Sequence, residues 1–135
     1  MQIIILSAGL GSRLKNLTLN TPKCLIKLGS KSILEHQLEL FRDIGIPHEN
    51  INIIAGHCHK KLEKYNLNLY LNKKYQNTNM VYSIFCADDL FKGNEDIIIS
   101  YGDIVYEKKV LNKLIKSNYA VSVVADLNWE KLWKK

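Results

Sequence analysis

The sequence predicts an α/β fold built on a mainly parallel sheet, and three observations carry that expectation. Short Ile-rich runs alternate with helical patterns along the chain, the rhythm of repeated β-α units. The runs lack polar/apolar alternation, as strands covered on both faces do. The first run leads straight into a glycine-rich loop, and in such sheets ligands bind beyond the carboxyl ends of the strands.

The elements follow in order. Strands are expected at Gln2–Ser7, Ile51–Ala55, Leu67–Leu71, Asp96–Tyr101 and Ala120–Ala125. The first helix is expected over Ser32–Ile44, with Leu34, Leu38 and Phe41 on one side and Glu35, Glu39 and Arg42 on the other. Gly45 and Pro47 should end it. Further helical stretches are expected at His59–Tyr65, Met80–Leu90, Lys108–Lys116 and Asn128–Trp133. The 135 residues, 47% hydrophobic and 24% charged, suffice for one domain with its own core. No internal repeat, linker or low-complexity segment interrupts them.

The loop Leu6–Lys23, LSAGLGSRLKNLTLNTPK, is the most informative segment. Gly9 and Gly11 let the backbone bend closely around an anion. Arg13 and Lys23 add two cations, a combination suited to the triphosphate of a nucleotide. A dinucleotide-binding G-x-G-x-x-G fails because Leu14 holds the third glycine position, and no G-x-x-x-x-G-K-[ST] exists in the chain. An ordinary strand-to-helix turn would explain the glycines, but not the ordered set of Ala8, Gly9, Gly11, Ser12, Arg13, Pro22 and Lys23.

That ordered set resembles the L-x-A-G-x-G-S-R-L … P-K signature of nucleotidyltransferases that load NMP onto sugar phosphates and other small phosphorylated molecules. Ser7 stands where Ala is frequent in that family. The resemblance implies a Rossmann-like three-layer α/β/α sandwich of the nucleotide-diphospho-sugar transferase type, with a mixed sheet. It implies nucleotide contacts from Leu6, Ala8, Gly9, Gly11 and Ser12, with Arg13 on the β- and γ-phosphates and Lys23 near the α-phosphate. Arg13 and Lys23 are thus the expected catalytic residues.

Asp103 follows the strand Asp96–Tyr101 through Gly102. A carboxylate there suits Mg²⁺, which prefers oxygen ligands and phosphates, and it resembles the family's metal-binding aspartate. Capping of the next element is the plain alternative. The stretch Asn72–Phe85 resembles the N…Y…N-N-x-Y-S-L pattern of a bacterial CTP-using subset that acts on phosphocholine, phosphoglutamine or phosphonates. The match runs through Asn72, Tyr75, Asn79, Tyr82 and Ser83, and departs at Met80, where many relatives have Asn. Asn79 is the candidate for holding cytidine or its ribose, with Ser83 beside it; Asn79 could equally cap a helix.

Asp126-Leu127-Asn128-Trp129, followed by Trp133, resembles a D-x-N-W-x-x-L-W stretch of the same cytidylyltransferases. Asp126 and Trp129 are the candidates for the acceptor, through a carboxylate–amine contact and cation–π attraction. Core packing for the tryptophans and a turn cap for Asp126 are the plain readings. His57 and His59 form an H-x-H that lacks the partners of a zinc site, so both are read as loop and helix-start residues. Glu35 and Glu39 are read as a solvated face.

The net charge of +6 comes from 19 basic and 13 acidic residues. The basic residues are scattered without interleaved aromatics, which disfavours nucleic acid and fits an anionic small substrate. No segment reads as a membrane span or a signal peptide. Cys24, Cys58 and Cys86 fit neither a disulfide framework nor a metal site, which points to the cytoplasm. The function expected is Mg²⁺-dependent transfer of CMP from CTP to a small phosphorylated acceptor, with pyrophosphate leaving, for surface-polysaccharide decoration. A sugar-1-phosphate nucleotidyltransferase using UTP or dTTP and a nucleotide-binding module without turnover are the alternatives. Relatives usually carry a second metal-binding acid and further strands later in the chain, so 1–135 is read as the N-terminal, nucleotide-binding part of one domain. The surface those strands would cover could pair with a second copy of the chain.

Overall fold

The computed structural model describes residues 1–134, in two compact units, Met1–Val105 and a second one beginning at Tyr106. The first unit contains strand β1 (Gln2–Ser7), the two-residue strands β2 (Lys27–Leu28) and β3 (Lys31–Ser32), and helix α1 (Ile33–Asp43). It continues with β4 (Ile51–Ala55), β5 (Asn68–Leu71), helix α2 (Met80–Ile84) and β6 (Ile97–Tyr101). The second unit contains helices α3 (Lys108–Ile115) and α4 (Trp129–Trp133).

The central sheet has the order β5-β4-β1-β6, and every pairing in it is parallel. Ile3 of β1 lies beside Ile51 on one flank and Ile98 on the other. The sheet is parallel because the sequence separates its strands by crossovers rather than tight hairpins. β1 and β4 are the buried middle: Ile3, Ile4, Ile5, Ile53 and Ile54 are fully inaccessible. Burying each such side chain contributes roughly 1.5–3 kcal/mol. On one face Ile4, Ile54 and Ala87 form a cluster flanked by Leu6, Tyr70 and Leu90; Ile3 and Ile5 alternate to the other.

The chain runs from β1 to β4 and β5 on one side, then returns to lay β6 on the opposite flank of β1. The direction of sheet growth therefore reverses at β1. In open α/β sheets that reversal opens a crevice at the carboxyl ends of the strands, so the loops after β1 and β6 face a common space.

Helix α1 starts with a capping box that the S-x-x-E spacing encodes. The Glu35 N–H donates to Ser32 Oγ at 3.2 Å, and the Ser32 N–H donates to Glu35 Oε2 at 2.6 Å. It ends where the Ile46 N–H reaches the Phe41 carbonyl and the Gly45 N–H reaches that of Arg42, a Schellman closure. Its buried stripe is Leu34, Gln37 and Phe41, so Gln37 takes the position expected of Leu38. Glu35 and Glu39 are both engaged: the Tyr65 hydroxyl donates to Glu35, and the Lys31 ammonium pairs with Glu39 at 2.6 Å.

Three sequence expectations are corrected. No strand forms over 120–125. The apolar character is there, but Val121 and Val123 are more than four-fifths exposed and no neighbouring strand among the described residues supplies a ladder. The helix expected over Met80–Leu90 stops at Ile84 and continues as tighter turns to Lys92. Ala87 leaves helical geometry there, at φ −119° and ψ 41°. β6 is covered on one face only: Ile98 and Ser100 are buried while Ile99 and Tyr101 are not, the period-2 alternation of a strand with one solvated face. No helix among the described residues is long and apolar enough to cross a membrane.

Candidate functional site

A cleft of about 270 Å³ opens in the first unit where β1 and β6 end. It collects most of the residues singled out from the sequence: Leu6, Ala8, Gly9, Gly11, Arg13 and Lys23 from the first loop, Asn79 and Ser83 from α2, and Asp103 from the turn after β6. Ser12 is exposed and does not line it. Asp126 and Trp129 belong to the second unit. The Asp126 carboxylate accepts from the Asn128 N–H at 2.8 Å, and its carbonyl accepts from the Trp129 N–H, so Asp126 acts as a turn cap. Trp129 is 56% exposed, and the side chain of Trp133 lies outside the described residues.

The first loop is tied into shape by its own polar groups. Gly11 is left-handed at φ 64°, and a Cβ there would come within 2.9 Å of the Thr18 methyl, so glycine is required. The Gly11 carbonyl accepts from the Leu14 N–H at 2.9 Å and from the Thr18 hydroxyl at 2.9 Å. Thr18 is buried, and its carbonyl accepts from His57 Nε2 at 2.7 Å. That contact fixes the proton of the neutral ring on Nε2. The His57 N–H in turn donates to the Ala8 carbonyl at 3.1 Å. His57 thus straps the loop after β1 to the end of β4. Lys15 adopts φ 46° and ψ −119°, a strained conformation for a residue with a Cβ.

The wall from α2 rests on Asn72, which is 1% exposed. Its Nδ2 donates to Thr78 Oγ1 and Ser83 Oγ, both at 3.0 Å, and its Oδ1 accepts from the Lys74 N–H at 2.9 Å. The Ser83 hydroxyl in turn donates to the Asn79 carbonyl at 3.2 Å. Asn79 caps α2, with its Oδ1 accepting from the Tyr82 N–H at 3.1 Å, and still lines the cleft. Met80, the departure from the resembled pattern, accepts the Tyr101 hydroxyl on its sulfur at 2.8 Å.

On the opposite wall, the Gly102 N–H donates to the Leu6 carbonyl at 2.8 Å. A Cβ on Gly102 would meet that carbonyl oxygen at 2.8 Å, so only glycine lets the ends of β1 and β6 approach this closely. Asp103 follows, and its Oδ2 lies 2.5 Å from Lys23 Nζ. Two cations, Arg13 and Lys23, thus share the cleft with one carboxylate, a field that favours a polyanion. Cys24 also lines the cleft, but burial pushes its thiol up to about 11, so it is no nucleophile near neutral pH.

Sequence reasoning left Tyr75, Thr78, Tyr101 and Cys24 outside the site, though all four line the cleft. Tyr75 lay within the N…Y…N pattern and could have been found there. The others carry no local signal and reach the cleft through the strand order.

Residues 3–130 match the family model described as the MobA-like NTP transferase domain. The chain is 39% identical, over its whole length, to the CTP:phosphoglutamine cytidylyltransferase of Campylobacter jejuni, covering 56% of that protein. It is 33% identical to a choline-phosphate cytidylyltransferase of Streptococcus pneumoniae over 88% of this chain and 52% of that one. The chain spans about half the length of these curated relatives. Among solved structures, a CTP:phosphocholine cytidylyltransferase from Streptococcus pneumoniae superposes with a TM-score of 0.67 at 35% identity, covering 76% of this chain and 44% of that one.

Proposed function

The chain belongs to the MobA-like NTP transferase family, and on that premise we propose that it is the nucleotide-binding portion of a cytidylyltransferase. The reaction is transfer of CMP from CTP to a small phosphorylated acceptor of the phosphocholine, phosphoglutamine or phosphonate kind. One observation carries the reading: Arg13, Lys23 and Asp103, 90 positions apart at the extremes, converge in one cleft with Asn79 and Ser83. The family match, which runs from residue 3 to 130 across both compact units, supports treating 1–135 as part of one nucleotidyltransferase domain.

In this reaction an oxygen of the acceptor's phosphate or phosphonate attacks the α-phosphorus of CTP. The new P–O bond forms as the bond to the β-phosphate oxygen breaks, and pyrophosphate departs with that electron pair. The acceptor oxygen is already anionic near neutral pH, so no strong general base is needed. The protein's share is in-line positioning and charge neutralisation. Arg13 neutralises the β- and γ-phosphates as they become the leaving group. Lys23 sits nearer the α-phosphate and the incoming oxygen. The loop Ala8–Gly11 packs its backbone against the nucleotide, and Asn79 holds the cytidine or its ribose.

Asp103 is the one carboxylate lining the cleft among the described residues. It fits Mg²⁺, which takes one or two carboxylates and completes its shell with phosphate oxygens and water. Bound there, the ion would supply charge neutralisation to the phosphoryl group under attack. The reading extends to a cytoplasmic enzyme whose products decorate surface polysaccharide.

Calorimetric titration with CTP, UTP, ATP, GTP and dTTP, each with Mg²⁺, tests the reading. Selective CTP binding, weakened in Arg13→Ala and Lys23→Ala, is expected. A well-folded sample that binds none of the five, or binds all alike, would sink it.

A further inference from the structure

We infer that Gln37 is the positioning residue that holds the Asp103 turn, an inference that rests on the reading of Asp103 as the carboxylate for the divalent cation. Gln37 lies on the buried stripe of α1 and is 1% exposed. Its Nε2 donates to the Tyr101 carbonyl and to the Ile104 carbonyl, each at 2.7 Å. Those two carbonyls bracket Gly102 and Asp103. One side-chain amide, 64 to 67 positions upstream, therefore spans the turn from which Asp103 projects.

The orientation of that amide is settled by its surroundings. Both backbone partners are acceptors, so the nitrogen must face them. Turned over, the amide would put oxygen against two carbonyl oxygens with no hydrogen between them. The cost of this arrangement is visible at the other end of the group. Gln37 Oε1 is buried with no hydrogen-bond partner among the described residues, which is costly in a protein interior. A Leu or Met at this position would complete the apolar stripe of Leu34 and Phe41 without that cost. Packing alone therefore does not call for Gln. What the amide adds is the two-carbonyl clamp.

The clamp acts where position matters. The Gly102 N–H is held by Leu6 on the β1 side, and Gln37 holds the carbonyls on either side of the turn. Together they set where the Asp103 carboxylate stands relative to Lys23, at 2.5 Å. A carboxylate on a slack turn would present its oxygens to a cation only part of the time, which lowers metal affinity without altering the nucleotide loop. Gln37 touches neither nucleotide nor metal in this scheme; it acts through Asp103.

Two isosteric variants of the full chain test this. Gln37→Met removes the donors and the orphan oxygen together, and Gln37→Glu keeps the shape but offers at most one donor, and that only when protonated, in place of the two-carbonyl clamp. The first readout needs no ligand: amide hydrogen exchange by NMR at Gly102, whose N–H donates to the Leu6 carbonyl. It is expected to quicken at least tenfold in both variants while the amides of β1 and β4 keep their protection. The second is CTP affinity by calorimetry, with EDTA and with Mn²⁺. The affinity in EDTA is expected to stay within twofold of wild type, and the gain conferred by Mn²⁺ to fall at least fivefold. A Mn²⁺ gain that survives in Gln37→Met overturns the positioning role, whatever the exchange shows. So does an equal loss with and without metal accompanied by faster exchange throughout the sheet, which would mark Gln37 as packing only. If wild type itself binds no nucleotide, the functional proposal fails separately, and unchanged exchange at Gly102 would still overturn the clamp.

Discussion

The Lys23 ammonium meets the Asp103 carboxylate at 2.5 Å across the mouth of the cleft, joining segments 80 positions apart. Both side chains are about one-third exposed, so the pair contributes little to stability, about 0–1 kcal/mol. Its meaning is electrostatic. A divalent cation taking the carboxylate would displace the ammonium, which would then be free to meet phosphate. Asp103→Asn is therefore expected to leave Tm within a few degrees of wild type, by differential scanning calorimetry, while removing the gain in CTP affinity that Mg²⁺ confers. Lys23→Ala is expected to weaken CTP binding even in EDTA. Retention of the Mg²⁺ gain in Asp103→Asn would count against the metal role.

Gly9 and Gly11 are expected to respond differently to alanine. A Cβ on Gly11 would meet Thr18 at 2.9 Å on a left-handed backbone, whereas one on Gly9 meets nothing within 4 Å. Gly11→Ala should cost about 2 kcal/mol, a fall in Tm of roughly 8 °C. Gly9→Ala should keep the wild-type Tm and lose nucleotide affinity, because its methyl enters space open to the cleft. Thermal scans and titrations on the two variants decide it; equal Tm values would contradict the assignment.

Asn72 uses both its donor and its acceptor groups while buried. Asn72→Ala leaves Thr78, Ser83 and the Lys74 N–H short of partners, at a cost of about 2 kcal/mol or more. Urea unfolding should show that loss, and CTP affinity should fall with it, since the same bonds hold the wall that carries Asn79 and Ser83. A variant as stable as wild type would mean that water replaces the amide.

The capping box of α1 predicts a pH effect of definite sign. The Ser32 backbone N–H, followed by the Ser32 and Tyr65 hydroxyls, holds the Glu35 carboxyl below its ordinary value of 4.5. The folded-state pKa is thus lower than the unfolded one. The stabilisation is fully present above about pH 5 and is lost as pH falls through the folded pKa. Glu35→Gln should lower Tm at pH 7, by an amount in keeping with about 1 kcal/mol for such a cap, and the gap to wild type should close toward pH 3. A gap that widened on acidification would refute the assignment.

Much of this architecture was legible because its signals are local. The bounds of β1 and β4 coincide with the expected Gln2–Ser7 and Ile51–Ala55, since an unbroken Ile run between turn residues has little alternative to a central strand. Ala8, Gly9, Gly11, Arg13, Lys23 and Asp103 were singled out through motif and resemblance, and the strand order brings them to one cleft, while Ser12 stays outside it. Gln37 was not legible: on a helical wheel Leu38 is the natural buried residue, and only the tertiary position of the Tyr101 and Ile104 carbonyls makes a glutamine useful there. The stretch 120–125 misled for the opposite reason. Its β-branched residues favour a strand, but propensity forms none without a partner to complete the ladder.

The knot of Thr18 and His57 also has a kinetic side. A loop cross-tied to β4 through the Thr18 carbonyl, with the Gly11 carbonyl already satisfied by two donors, has met its ordering cost during folding. Nucleotide should then be captured in one step, with a rate that rises linearly with nucleotide concentration. Cutting the tie with His57→Phe, which removes the Nε2 donor to the Thr18 carbonyl, would leave the capture chemistry in place and introduce a slow second phase, as the loop closes after its guest has arrived.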